Sequence, residues 1–394
     1  MTRQMDRIHD TLRLENDGMA FLGRVLVRAA WGMATVSPGD VYLSRKGSRI
    51  DSDDSALDSD QGLGPLEGLR DWLDKQDAAS LFVVGFRFQD DDQETPNWYP
   101  QGLSGTADAD ASGKVDGKKF LLVAWYHKTN DEDDEPMARI SLINVSDIQD
   151  IEYRHLLLVE PITDDDGNPS FKAVKSHRGG LVWFGRWLYV ASNDELLVFD
   201  MESITDIKAQ NADYDDSERV GYYGGKYHAA GYRYIVPLVS VYTIDDSDRG
   251  NYFDTLGLDR STDPPRIVAA GYVSEDSEVY DTEISHAVVV FFDLNDSTGL
   301  LANSGSYFEA SDVAYSGAYY VQGVHACGDH VWLCQGQRVD LLLHLEIGHD
   351  GGDEYYWAHG GEGLTYAAST DHLWNVTEVE GSRICFCVMR NDVW

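Results

Sequence analysis

Trp98-Tyr99-Pro100-Gln101-Gly102-Leu103 and Tyr319-Tyr320-Val321-Gln322-Gly323-Val324 follow one grammar: aromatic, Tyr, any residue, Gln, Gly, aliphatic. A third copy is Tyr355-Tyr356-Trp357-Ala358-His359-Gly360-Gly361, with Gly363-Leu364 after it. Ser176-His177-Arg178-Gly179-Gly180-Leu181 and Tyr227-His228-Ala229-Ala230-Gly231-Tyr232 are looser copies. Four of these are followed by a run rich in aromatics and valine: FLLVAWYH (120–127), WLYVAS (187–192), HVWLCQG (330–336) and HLWNVTE (372–378). YRYIVPLVSVY (232–242) follows the remaining one directly.

Repeated units of about 60 residues, each with several short strands, indicate a β-propeller. The markers predict the innermost strand of each blade, with glycines where backbones crowd the axis. LLVFDM (196–201) and VVFFDL (289–294) are near copies and predict matching outer strands of two blades. Leu81 to Phe88 is placed to close the ring against the C-terminal blade. The expected fold is therefore all-β: a propeller, five blades favoured, over residues 80–394. Residues 1–79 read as an N-terminal extension. Leu66, Leu69, Trp72 and Leu73 recur there at helical spacing behind Pro65, predicting a short helix.

The blade grammar G-x-W-L-Y-V-A then L-x-V-F-D is similar to that of many propeller families. With W-Y-P-Q-G-L and G-K-V-D-G-K-K-F-L-L-V-A-W-Y-H (113–127), the set resembles a group of uncharacterised actinobacterial propeller-like proteins. That resemblance covers about residues 80–394 and implies a fold, with no activity attached. Members of such a group are often exported. The chain as given shows no leader and no long apolar run, so a cytoplasmic location is expected, with secretion the alternative.

The chain has 394 residues and a formal net charge of −37. That excess argues against nucleic acid and against an anionic membrane surface as partners. An apolar share of 43% is that of a folded protein, so the acid sits on a globular surface. Asp outnumbers Glu by 49 to 19, which suits Asp-rich turns. The four cysteines show no zinc spacing; Cys327 and Cys334 are candidates to face each other across a hairpin, and Cys385 and Cys387 share a strand face. Oligomeric state is open.

The markers predict what lines the axial mouth. Gln101, His177, His228, Gln322 and His359 supply one polar group per blade. Trp98, Tyr99, Tyr227, Tyr319 and Tyr320 stand around them, with Tyr355, Tyr356 and Trp357. Such rings stack on sugars, hold cations or wall an apolar pocket; they equally pack between blades. His359 and Glu362 are the leading acid–base candidates, with His177 and His228 opposite, and Gln101 and Gln322 orienting a substrate. Three histidines also suit a transition metal, but Gln takes the place of His in two blades. With Glu362 the only close acid, a two-carboxylate glycoside hydrolase is disfavoured. No phosphate loop and no dinucleotide fingerprint is present.

Asp108, Asp110, Ser112 and Asp116 have partial calcium-loop spacing with Gly113 at the turn, but Lys119 stands where the bidentate Glu belongs. Structural calcium is the only cofactor the spacing suggests. Asp164 to Asn168 reads as a hairpin turn. The expected function is binding, and transformation by nucleotide-independent acid–base chemistry (lyase, isomerase, cyclase or hydrolase), of a small organic molecule. A glycan-binding propeller or a protein-interaction scaffold is the alternative.

Overall fold

The computed structural model describes residues 5–7, 12–51, 82–128, 137–175, 179–192, 195–209, 216–244, 253–274, 288–302, 307–336 and 340–394. The helix expected behind Pro65 lies outside them. Five antiparallel strand groups, sheets I to V, follow one another along the chain; I and II are joined into one 14-stranded sheet by a parallel pair. Their first strands are Trp98–Gly105, Leu181–Phe184, Thr255–Asp259, Val321–Cys327 and Gly361–Ala367.

These five strands touch in cyclic order. Gly102 lies against Gly179, Gly180 against Thr255 and Leu256, Gly257 against Val324, Gly323 against Glu362, and Gly363 against Gly102 and Leu103. A side chain at Gly102 would put its Cβ 1.8 Å from the Gly179 carbonyl oxygen, so only glycine permits this approach. The ring is closed, and the architecture is the expected all-β propeller type.

Strand residues alternate between faces, so each sheet buries one face against each neighbour. Leu122, Ile140 and Leu156 of sheet I meet Trp183, Leu188 and Val190 of sheet II. Val182, Tyr189 and Val198 then meet Leu256, Ile267 and Val290 of sheet III. Val268 and Phe291 pack on Val324 and Leu333 of sheet IV. Trp332 and Leu342 pack on Leu364 and Phe386 of sheet V. Val376, Cys385 and Cys387 return to Leu103, Val123 and Trp125 of sheet I.

Phe82–Arg87, which precedes sheet I, pairs antiparallel with Ile384–Met389 as the fourth strand of sheet V. The expected closure is observed. Glu195–Asp200 and Val288–Asp293 are both third strands, in sheets II and III, as their near-identical sequences required. Residues 164–168 turn between the paired strands Glu152–Thr163 and Pro169–Ala173. The long strand Tyr234–Ile244 is the outer strand of sheet II and also runs parallel to Glu152–Thr163, joining sheets I and II at the rim.

The residues before 52 add edges to this frame: Asp6–Arg7 to sheet III, Arg13–Asn16 to sheet II, Arg45–Lys46 to sheet I and Ser48–Ile50 to sheet V. Helix α1, Gly18–Ala30, lies on the outer strands.

Two markers were misplaced by their aromatics. Among the described residues Lys226–Ala229 pairs only with Val220–Tyr223, in a hairpin packed on Pro169–Ala173. Gly231 there is a turn glycine at φ 77°, not a close-approach glycine. The inner strand of sheet III is Thr255–Asp259; Phe253 stands four residues before Gly257, as Trp98 does before Gly102, but Leu256 takes the place of Gln before the glycine. Tyr355 and Tyr356 end Gly352–Tyr356, the outermost strand of sheet IV, and the next inner strand starts only at Gly361. Cys327 opposes His330 and Cys334 opposes Gly323, so these thiols do not face each other; all four cysteines are free.

Candidate functional site

At the upper mouth, where the inner strands begin, Gln101, Gln322 and Glu362 each stand one residue before a close-approach glycine. The glycine brings neighbouring strands together, and the residue before it is delivered to the axis. Gln322 Nε2 donates to Glu362 Oε1 at 3.2 Å. Gln101 Nε2 donates to Glu378 Oε2 at 2.8 Å. Glu378 follows the second strand of sheet V, and its N–H donates to the Gly360 carbonyl at 3.0 Å. Two glutamates thus meet at the mouth, each capped by a neutral amide.

Their environments differ. Glu362 is 1% exposed. Burial, and then the charge of Glu378, push its carboxyl well above the usual range. Burial also raises Glu378, and Arg383, Lys128, the Gln101 bond and His359 offset only part of that rise, so it too stays above the usual range. Glu362 is therefore the group that keeps its proton, and Glu378 the one that ionises first.

Tyr126 completes the pair. Burial raises its phenol, and both Glu378 and Glu362 add to the rise, which places it within electrostatic reach of both. Its ring stacks on Tyr99 at 5.5 Å. Arg383 lies 5.1 Å and Lys128 5.4 Å from the centre of the Tyr99 ring. The Arg383 Nε also donates to the Glu378 carbonyl at 3.0 Å.

Behind Glu362 stands a chain of fixed groups. Trp357 Nε1 donates to Asn375 Oδ1 at 3.0 Å, and Asn375 Nδ2 donates to the Glu362 carbonyl at 2.6 Å. Trp357 is wholly buried and stacks toward Phe386, so it holds Glu362 in place and does not wall a pocket.

The other expected site residues divide clearly. His359 is half-exposed at the rim, its Nδ1 2.8 Å from Asp340 Oδ2. Tyr320 is buried against Tyr272 at a φ of 55°. Tyr319 offers its carbonyl to Gln335 at 2.6 Å. Trp98 is sandwiched in sheet I between the Arg139 guanidinium, 4.2 Å away, and His127. Tyr227 and His228 sit in the outer hairpin, where His228 Nδ1 lies 3.1 Å from Asp216; they are off the axis. Tyr355 bonds the C-terminal Trp394 carbonyl, and Tyr356 is exposed on the outer edge of sheet IV. His177 lies outside the described residues.

The acidic loop does not converge on a cation. Asp108 turns into the ring and accepts the Ser104 and Thr365 hydroxyls at 2.6 and 2.7 Å. Asp110 accepts the Ser112 N–H, and Asp116 reaches away to the Gly39 N–H. Among the described residues, no group of three or more His, Cys, Asp or Glu is arranged to hold a metal.

Sequence reasoning therefore reached Gln101, Gln322, Glu362, His359 and Tyr99, and missed Glu378, Tyr126 and Arg383. Their only available signal was pairing: the inner strand folds back on the next, so Tyr126 opposes Tyr99 and Glu378 bonds Gly360.

No family model matches the chain, and no curated protein does. Among solved structures, a glycosyl hydrolase from Bacteroides ovatus aligns at 9% identity over 77% of this chain and 74% of its own, with a TM-score of 0.25.

Proposed function

We propose that the upper mouth performs acid–base hydrolysis on a small, neutral, hydroxylated molecule of glycoside type, with Glu362 as proton donor and Glu378 as base or nucleophile. The observation that supports this is the unequal pair: two amide-capped glutamates at one mouth, one held protonated by burial, the other eased toward ionisation by Arg383 and Lys128. A leaving group needs a proton and the attacking group needs a carboxylate, and this pair supplies one of each. The earlier objection, a missing second acid, is removed by Glu378. The stacked Tyr99 and Tyr126 rings supply an apolar face for a sugar ring. Gln101 and Gln322 act as positioning residues for the two carboxylates.

The same stacked rings support a second reading, glycan binding without chemistry. A panel of aryl glycosides as probes separates the two. Under the catalytic reading, Glu362→Gln removes the high-pH limb of the rate profile and Glu378→Gln the low-pH limb. Under the binding reading, neither changes turnover from background, and Tyr99→Ala alone weakens glycan binding.

A further inference from the structure

The ring has a second mouth, where the inner strands end. A cavity of about 270 Å³ opens there, and Arg260, His325, Tyr366 and Arg390 line it. Its chemistry is the reverse of the upper mouth. Two guanidiniums face one space in a chain of net charge −37.

Neither cation has a carboxylate in hydrogen-bond contact among the described residues. Arg260 lies over the Phe184 ring at 4.9 Å and spends its Nε, at 3.0 Å, and its Nη2 on the Asp108 backbone carbonyl, which leaves Nη1 for a ligand. Arg390 lies 4.1 Å from the centre of the Tyr366 ring. Its Nε is buried without a hydrogen bond among the described residues, the Asp371 carboxylate standing 3.9 Å away. Asp110 and Asp296 act on Arg260 through space, and two buried carboxylates nearby are engaged elsewhere. Asp108 faces Ser104 and Thr365, and Asp259 takes Arg266 and Ser261. His325 is 4% exposed, between the Trp332 and Tyr366 rings, and its Nε2 has no partner among the described residues. An orphaned buried polar atom in a cavity wall marks a place for a ligand atom.

We propose that this lower mouth binds a small hydroxy-carboxylate, its carboxylate between Arg260 and Arg390 and its hydroxyl donating to His325 Nε2. Guanidinium forks match carboxylate geometry, and two of them in one cavity favour a compact anion over an extended one. Burial, then the charge of Arg390, push His325 down to about 3, so its ring is neutral and offers a lone pair. A hydrogen bond to the Leu258 backbone fixes that ring.

Titration calorimetry with glycolate and malate tests this, with acetate, inorganic phosphate and ethylene glycol as comparators. Glycolate and malate should bind, glycolate more tightly than acetate, and ethylene glycol should give no heat. Arg390→Gln and Arg260→Gln should each weaken malate about tenfold or more, the loss of one charge-assisted bond. Circular dichroism of both variants guards against a folding defect. Glu362→Gln should bind malate as the parent does, which keeps this site separate from the upper mouth. Silence with every anion, equal affinity for acetate and glycolate, binding of phosphate alone, or parent-like malate binding in both arginine variants overturns the assignment.

Discussion

Two buried carboxylate sites in this molecule obey opposite rules. In sheet I, Asp92 is 3% exposed and fully partnered. Its oxygens accept from His155 Nε2 at 3.0 Å, Arg139 at 3.1 Å, Arg45 at 3.0 Å and the Tyr153 hydroxyl at 2.6 Å. Burial alone would raise its carboxyl, but His155, Arg139 and Arg45 outweigh burial and hold it far below the usual range. At the upper mouth, Glu362 has one neutral amide and, among the described residues, no cation in contact, and is held far above. One site is built to keep a charge and the other to keep a proton.

The Asp92 cluster even has the order of a nucleophilic triad. Ser141 Oγ lies 2.9 Å from His155 Nδ1, and His155 Nε2 reaches Asp92. Its surroundings make it scaffold. Ser141 is wholly buried and accepts the Trp125 indole N–H at 2.7 Å. Burial and the charge of Arg139 push His155 down to about 4, so it is a poor base at neutral pH. Hydrogen-bond order alone does not make a catalyst; the histidine must also be able to take up a proton near neutral pH.

The sharpest break in this comparison is kinetic. Glu362→Gln keeps the Gln322 contact and removes the transferable proton, so turnover should fall about 10²- to 10⁴-fold while the urea midpoint holds or rises. A fall in stability with turnover intact would make Glu362 a structural group like Asp92.

Asp92→Asn should give the mirror result. It leaves Arg139 buried without its counter-charge, while Arg45 keeps Asp91, a loss of about 3–5 kcal/mol in urea unfolding. The molecules that remain folded should turn over normally. Unchanged stability would mean that the cluster is not a load on the fold.

Asp108 offers an intermediate case. Burial raises its carboxyl from 3.8 to about 6. The native state therefore holds a proton that the unfolded chain releases, and stability falls as pH rises from about 4 to about 6. The full penalty, roughly 3 kcal/mol for a shift of this size, stays in place above that window. Urea unfolding across the window should show the fall in the parent and not in Asp108→Asn. Equal slopes would exclude it.

The smallest effect should come from the rim. His359→Ala removes a group that eases Glu378 and holds Asp340, so the acidic limb of the rate profile should shift upward with less than about a tenfold change in turnover. A loss as large as that of Glu362→Gln would return His359 to the catalytic role read from sequence.

The ring was legible because close backbone approach demands glycine, and a Gln-Gly or Glu-Gly pair followed by an aliphatic repeats visibly at 102, 323 and 363. It was misread at 227 because aromatic residues mark any crowded surface, while Leu256-Gly257-Leu258 carries the steric requirement alone. Gln101, Gln322 and Glu362 were legible for the same reason, as the neighbours of those glycines. Glu378 was not. One acid among 68 has no local mark, and its position depends on a hairpin register and on closure of the ring.

That closure sets a schedule for biosynthesis. Phe86 waits for Cys385, a partner 299 residues later in the chain, before sheet V gains its edge. At roughly 5–20 residues per second of elongation, the strand around Phe86 spends on the order of 15–60 seconds outside the ribosome without its mate. A strand of Phe, Val and Gly with open hydrogen-bonding groups is a template for other chains during that interval. The growing protein therefore depends on its early segments, or on helpers in the cell, to shield one strand until the last one arrives.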